Sequence, residues 1–137
     1  MDIVTPAVRS RMMGGIRGTN TKPELIVRSI AHRLGLRFRL HRSDLPGRPD
    51  VVFPRHRTVV LVHGCFWHRH DCGRAANPKT RPAFWKAKFD GNVRRDAATR
   101  QRLEEAGWRV IVVWECETAN EAALAARLRH EFGVNGR

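Results

Sequence analysis

The feature that most restricts how this chain folds is a pair of apolar runs set one long helix apart. Val59-Val60-Leu61-Val62 has the composition of a buried strand, and Trp108 to Trp114 reads the same way. Between them lies a helical stretch opened by Pro82 and closed at Gly107. A strand, a long helix and a strand in succession form a crossover unit, so the two strands should lie parallel with a right-handed connection. If they are neighbours, both carboxyl ends sit at one edge of a sheet. Cys65 and Cys116 each fall one or two residues past such an end, and the alignment would bring them together.

The remaining elements follow from local signals. Thr21-Lys22-Pro23-Glu24 reads as a helix start, with Thr21 as N-cap and Glu24 closing a capping box, and Gly35 stops the helix. Leu36, Phe38 and Leu40 alternate with Arg37, Arg39 and His41, the period of a half-exposed strand. After a turn at Leu45-Pro46-Gly47, Asp50 to Phe53 forms a second strand and Thr58 to His63 a third, giving a β-meander. Residues 82 to 106 form one helix, or two if Gly91-Asn92 breaks it, with Trp85, Phe89 and Val93 on one face. Thr118 to Glu121 looks like a second capping box, opening a last helix through about Phe132.

At 137 residues the chain fits one domain with a real core. Residues 1–20 are basic and loose, an arm preceding a folded domain over 21–137. Lysine and arginine number 26 against 13 acidic residues, a net charge of +13 spread from end to end, which points to a polyanion such as nucleic acid. The competing explanation is a generally basic, solvated surface. No apolar run reaches the ~20 residues needed to span a bilayer, and MDIVTPAVRSRMM lacks the apolar stretch of a secretory signal. The expected location is therefore intracellular, without membrane attachment. Three cysteines, an odd count, argue for metal ligation or free thiols over a disulfide framework.

Chemistry concentrates between residues 63 and 72, HGCFWHRHDC. Cys65, His70, Cys72 and Cys116 make a complete set of three thiolates and one imidazole, a donor set suited to structural zinc. Three unrelated buried cysteines are the alternative. Asp50 sits at a strand edge, where an aspartate is commonly a turn or cap residue. Near His63 and His68 on a basic protein, it would also supply what phosphodiester hydrolysis needs: an oxygen ligand for magnesium beside a base and a proton donor. Glu24 fits either a capping or a catalytic role. Core packing accounts for Trp108 and Trp114, whereas Phe66, Trp67 and Trp85 suit either a core or insertion between bases.

These residues resemble the very-short-patch mismatch repair endonucleases, the Vsr family. The likeness rests on Arg9-Ser10 with Met13 and Ile16, Asn20-Thr21 with Glu24, Leu45-Pro46-Gly47-Arg48-Pro49-Asp50, His63-Gly64-Cys65-Phe66-Trp67-His68, His70-x-Cys72, Asn92-x-x-x-Asp96 and Trp108 through Cys116. It covers nearly the whole chain, and the HGCFWH run with the PGRPD segment is its most specific part. The resemblance implies an α/β restriction-endonuclease-like (PD-(D/E)xK) domain of core order αβββαβ, followed here by a C-terminal helix and stapled by structural zinc. It also implies a Mg2+-dependent nickase that cuts double-stranded DNA 5′ to the thymine of a T:G mismatch left by 5-methylcytosine deamination. Asp50 would hold magnesium with the Val62 carbonyl, and His68 would act as general base or acid. His63 and Glu24 would assist, and Asp96 would orient His68. Zn2+ would sit on Cys65, His70, Cys72 and Cys116. Phe66, Trp67 and Trp85 would wedge into the duplex while the arm carrying Met13 crosses the minor groove.

Two departures stand out. The acid-x-lysine half of the general nuclease motif is absent, Val60-Leu61-Val62-His63 standing in its place, and Arg69 and Asp71 flank His70 where some relatives are richer in histidine. The resemblance further implies a monomer in the bacterial cytoplasm, nucleoid-associated when on DNA, linked to a DNA cytosine-5 methyltransferase and to a repair polymerase and ligase. Two other functions remain open: a same-fold nickase of modified or foreign DNA with no mismatch requirement, and a catalytically inactive zinc-containing DNA-binding module.

Overall fold

The computed structural model describes residues 21–72 and 79–134. The order is α1 (Lys22–Arg33), β1 (Arg39–Leu40), β2 (Val51–Phe53), β3 (Thr58–His63), α2 (Pro82–Glu105), β4 (Arg109–Trp114) and α3 (Glu121–Phe132). Short 3-10 turns cover Pro54–His56 and Glu115–Ala119. The result is a mixed α/β fold with one four-stranded sheet of order β1-β2-β3-β4. The first three strands form the expected antiparallel meander, and β3 pairs parallel with β4 from Thr58↔Arg109 to His63↔Trp114.

Side-chain alternation divides the sheet between two cores. Val51, Phe53, Val60 and Val113 pack with Val27, Ile30 and Ala31 of α1 and with Leu124, Leu128 and Phe132 of α3. The intervening residues Val52, Val59, Leu61 and Val110 pack with Leu103 of α2 and with Trp108. Coverage on both faces explains why β2 and β3 read as continuous apolar runs.

Four elements differ from the sequence reading. The strand expected over 36–40 shortens to Arg39–Leu40, both exposed, because an edge strand needs to pair only once. Helix α2 runs unbroken through Gly91-Asn92, the one-helix alternative, and differs only in its apolar stripe. On that helix Phe89 is buried, Trp85 half-buried and Val93 45% exposed, so the four-residue stripe leaves the core after Phe89. The N-cap of α3 is Asn120, which accepts from the Ala123 amide at 3.1 Å. Thr118 instead donates its hydroxyl to the Glu115 carbonyl at 2.6 Å within the preceding turn. At α1, Thr21 caps as expected, accepting from the Glu24 amide at 3.4 Å, but the Glu24 carboxylate is 1% exposed and engaged elsewhere.

Candidate active site and metal centre

Three groups of side chains meet around the carboxyl end of β3. Antiparallel pairing sets the start of β2 against that end, because Val51 lies opposite Val60. Asp50, one residue earlier, accepts from the Val62 amide through Oδ2 at 2.8 Å. The Val62 group seen in contact with Asp50 is thus the amide. Glu24 reaches the same place from α1. It holds Arg28 at 2.9 Å and lies 3.3 Å from His41 Nε2, and one of its carboxylate oxygens lies within 4.8 Å of one of Asp50. Burial, reinforced by the Glu24 carboxyl, pushes Asp50 up to about 8. Two carboxyl groups placed together out of water cannot both ionise cheaply without a cation. Donor atoms of Glu24, His41 and Asp50 all lie within 4.8 Å of one another. The oxygen-rich part of this set fits a hard divalent ion such as magnesium.

The second group lies on the α2 side of the sheet. His63, next in register after Leu61 on that face, is buried and stacks on His68 with ring centroids 4.0 Å apart and planes 4° from parallel. His68 Nδ1 is 2.5 Å from Asp96 Oδ2 on α2. Burial, and then His68, push His63 down to about 4, against the opposing pull of Asp96. His63 is therefore a neutral imidazole at physiological pH. A carboxylate bonded to one imidazole nitrogen fixes the ring and leaves the other nitrogen for proton transfer. A groove of ≈ 430 Å³ lined by His63, His68, Asp96, Arg100 and Trp114 lies beside the pair.

The third group is Cys65, His70, Cys72 and Cys116, whose donor atoms also lie within 4.8 Å of one another. His70 Nδ1 is 3.7 Å from Cys65 Sγ and 3.5 Å from Cys116 Sγ. Tetrahedral zinc with Zn–S near 2.3 Å and Zn–N near 2.05 Å requires about 3.6 Å between sulfur and nitrogen. The donor set therefore fits such an ion. Burial pushes the Cys65 thiol up to about 12 and also raises Cys116, so a cation is what would keep these sulfurs ionised. The loop is tied down by the Cys65 amide donating to Glu115 Oε1 at 3.3 Å and by Asn92 Nδ2 donating to the Trp67 carbonyl at 3.0 Å.

Next to these groups Phe66, Trp67 and Trp85 form one aromatic cluster with Phe89. Trp67 lies 5.1 Å from Phe66 and 6.1 Å from Trp85 by centroid, and Trp85 stacks on Phe89 at 5.6 Å. Arg69 sits 4.2 Å over the Phe89 ring. Arg69, Lys86 and Arg94 also line a groove of ≈ 870 Å³ along this face, so aromatic and cationic surface coincide.

The pattern of the family described as DNA mismatch endonuclease Vsr matches residues 1–74. A type II nicking enzyme, V.XorIIP of Xanthomonas oryzae pv. oryzae, is 50% identical over 129 residues, 94% of this chain and 95% of its own. The chain belongs to the Vsr family. Among other Vsr relatives, the DNA mismatch endonuclease Vsr of Escherichia coli K12 is 42% identical over 132 residues, covering 93% of this chain and 85% of its own. V.NmeAIP, a type II nicking enzyme of Neisseria meningitidis, is 42% identical over 127 residues, covering 93% and 91%.

The structure brings together Asp50 with Glu24, His63 with His68 and Asp96, the four Cys/His donors, and Phe66 with Trp67 and Trp85. Met13 and the arm over 1–20 lie outside the described residues. Two side chains near these groups escaped the sequence reading. His41 reads as the polar side of a strand, yet its ring is only 14% exposed beside Glu24. Trp114 reads as core, yet it is half-buried, stacks on His70 at 4.2 Å and meets His63 edge-on at 5.2 Å. Its place opposite His63 in the parallel register was the available signal.

Proposed function

We propose that this Vsr-family endonuclease nicks double-stranded DNA 5′ to the thymine of a T:G mismatch arising from 5-methylcytosine deamination. The observation that carries the reading is the meeting of a buried carboxyl pair, an Asp96–His68–His63 array and a half-buried aromatic cluster at one sheet end. Asp50 and the Val62 carbonyl would hold magnesium, with Glu24 beside them. Bound there, magnesium supplies positive charge against the scissile phosphate and promotes ionisation of water. Asp96 fixes the His68 ring by its bond to Nδ1, so His68 exchanges a proton with water or the leaving oxygen through Nε2. His63, buried and neutral, keeps that ring in plane by stacking and adds no second positive charge.

In the same reading Cys65, His70, Cys72 and Cys116 hold zinc in a closed, four-ligand site that fixes the loop and takes no part in hydrolysis. Phe66, Trp67 and Trp85 enter the stack at the mismatch, where unstacking costs least. Met13 and the arm over 1–20 cross the minor groove, preceding an endonuclease domain over 21–137 of the PD-(D/E)xK type. The protein acts as a monomer in the cytoplasm and meets the nucleoid through DNA. A cytosine-5 methyltransferase creates the need for it, and a polymerase and ligase complete the repair. Among the described residues, no helix is long and apolar enough to cross a membrane.

The test is nicking of an end-labelled duplex containing one T:G pair, beside its T:A control. Selective cutting of the T:G strand is the expected result. Equal cutting of both would favour a nickase without mismatch requirement, a reading supported by relatives named type II nicking enzymes. Binding without cutting would leave a DNA-binding module.

A further inference from the structure

His41 is the one member of the Glu24–His41–Asp50 group that nucleic-acid hydrolysis does not already employ. Three observations set it apart from a solvent-facing strand residue. One ring nitrogen lies within 4.8 Å of carboxylate oxygens of both Glu24 and Asp50. Its backbone is held at φ 46, a left-handed conformation uncommon for side chains other than glycine. Its amide donates to the Asp50 carbonyl at 3.3 Å, and its own carbonyl accepts from Arg48 Nε at 3.3 Å. The ring is thereby carried on the same backbone as Asp50.

The contacts of Nε2 are poorly made. Glu24 Oε2, an acceptor, is 3.3 Å away, and Arg28 NH2, a donor, is 3.4 Å away. Both are long for hydrogen bonds to nitrogen, and no tautomer serves both, since one needs a proton on Nε2 and the other needs a lone pair. An imidazole so buried ordinarily finds a better partner. A cation between the donors would provide one.

The charge balance indicates which cation. Among the described residues two carboxylates face the site, and Arg28 holds one of them at 2.9 Å. With both carboxylates ionised they offer a net single negative charge, to which a neutral imidazole adds a ligand without adding charge. Magnesium favours oxygen donors and high negative charge, whereas imidazole suits first-row transition ions.

We propose that His41 gives the carboxylate site at the start of β2 a nitrogen donor, so that Glu24, His41 and Asp50 together take a divalent transition ion, typified by Mn2+, in preference to Mg2+. This rests on the reading that Asp50 holds the catalytic cation. The site accepts magnesium when that ion is in excess, and His41 sets the order of preference.

The test is metal binding to zinc-loaded protein, with no DNA present. Mn2+ is titrated and its free fraction read by electron paramagnetic resonance, Mg2+ is measured by competition, and pulsed resonance detects nitrogen bound directly to Mn2+. His41→Gln, which exchanges the imidazole nitrogen for a neutral amide oxygen, should weaken Mn2+ binding about tenfold or more while changing Mg2+ binding less than about threefold. It should also abolish the directly bound nitrogen signal. His41→Glu, which supplies a charged oxygen donor, should shift preference toward Mg2+. Parallel loss of both metals in His41→Gln, or no loss of either, overturns the proposal. A nitrogen signal persisting in that variant would put Mn2+ on His63 and His68 instead and also overturn it. Asp50→Asn separates the two readings. If it abolishes binding of both ions while His41→Gln changes neither, Asp50 keeps its role and only the proposal for His41 falls. If it leaves both ions bound, both readings fall.

Discussion

Replacing Asp50 by asparagine should stabilise the protein while abolishing nicking. The carboxyl of Asp50 is pushed up to about 8 by burial and by Glu24, against an unfolded value near 3.9. Between those values the native state holds a proton that the unfolded chain has released, so stability falls as pH rises. At pH 7 the gap from the unfolded value is about 3 units, which at 1.36 kcal/mol per unit sets an upper bound of about 4 kcal/mol. Asparagine reproduces the protonated group without the titration. Its carbonyl oxygen can accept from the Val62 amide, as Asp50 Oδ2 does at 2.8 Å, and its amide can donate to Glu24. Allowing for the shared proton, a gain of about 2 to 4 kcal/mol is expected. His63 acts with the opposite sign. Held down to about 4 against an unfolded value near 6.5, it makes stability rise with pH between those limits and adds no slope above them. The clean window is therefore pH 6.5 to 8. There, urea unfolding of the zinc-loaded protein without other added divalent cation should show wild-type stability falling by about 1 kcal/mol or more, and Asp50→Asn nearly flat. Added Mg2+ should stabilise wild type more at pH 8 than at pH 6.5 and leave the variant unmoved. A variant no more stable than wild type at pH 7, or a wild-type curve rising across the window, would refute the account of a proton trapped between two carboxyls.

Three further outcomes follow from other parts of the site. Asp96→Asn removes the charged acceptor 2.5 Å from His68 Nδ1, and nicking should drop roughly 10²- to 10³-fold. Its thermal midpoint should move little, since both side chains are partly exposed; an unchanged rate would remove Asp96 from the mechanism. For the Cys/His group, metal analysis should find about one zinc per chain. Cys116→Ser should lower that content and destabilise the fold by several kcal/mol; full zinc content in the variant would exclude Cys116 as a ligand. Trp67→Ala should reduce preference for T:G over T:A duplex in a binding titration more than it reduces affinity for T:A. Equal loss for both duplexes would assign Trp67 to packing against Phe66 and Trp85.

Much of this was legible in the sequence because it depends on local pattern. The apolar runs of β3 and β4 identify themselves, and the helix between them dictates parallel pairing, which is how Cys116 joins Cys65. Side-chain direction across elements was harder to read. Glu24 closes a capping signal that Thr21 opens, yet its carboxylate turns inward because Arg28, His41 and Asp50 provide partners that water at a helix end does not. His41 alternates with Phe38 and Leu40 as though on a solvent face. A left-handed residue breaks that alternation, and no glycine or asparagine announces it. Gly91-Asn92 resembles a helix break, but Asn92 is needed inside α2 to hold the Trp67 carbonyl, and the surrounding packing outweighs a propensity cost of about 1 kcal/mol. Thr118 and Asn120 are both competent caps, and only the geometry of the preceding turn chooses between them.

The register of β3 explains how one short segment directs different kinds of side chain to different places. Val62 presents its amide to Asp50 while its side chain packs against the α1 and α3 core. His63, one residue on, emerges on the opposite face toward Asp96 of α2, beside Trp114. Cys65 has left the strand and is free to turn toward His70 and Cys116. Because side chains alternate with a period of two, a slip of one residue would turn His63 into the α1 core and Val62 toward the groove, and would remove the amide that Asp50 accepts from. Pairing on both sides resists that slip, with β2 antiparallel through Val51↔Val60 and β4 parallel through all six residues of the strand. The central strand therefore does more than carry the core. Its two-sided pairing fixes where the carboxyl pair, the imidazole pair and the loop that carries Cys65 stand relative to one another.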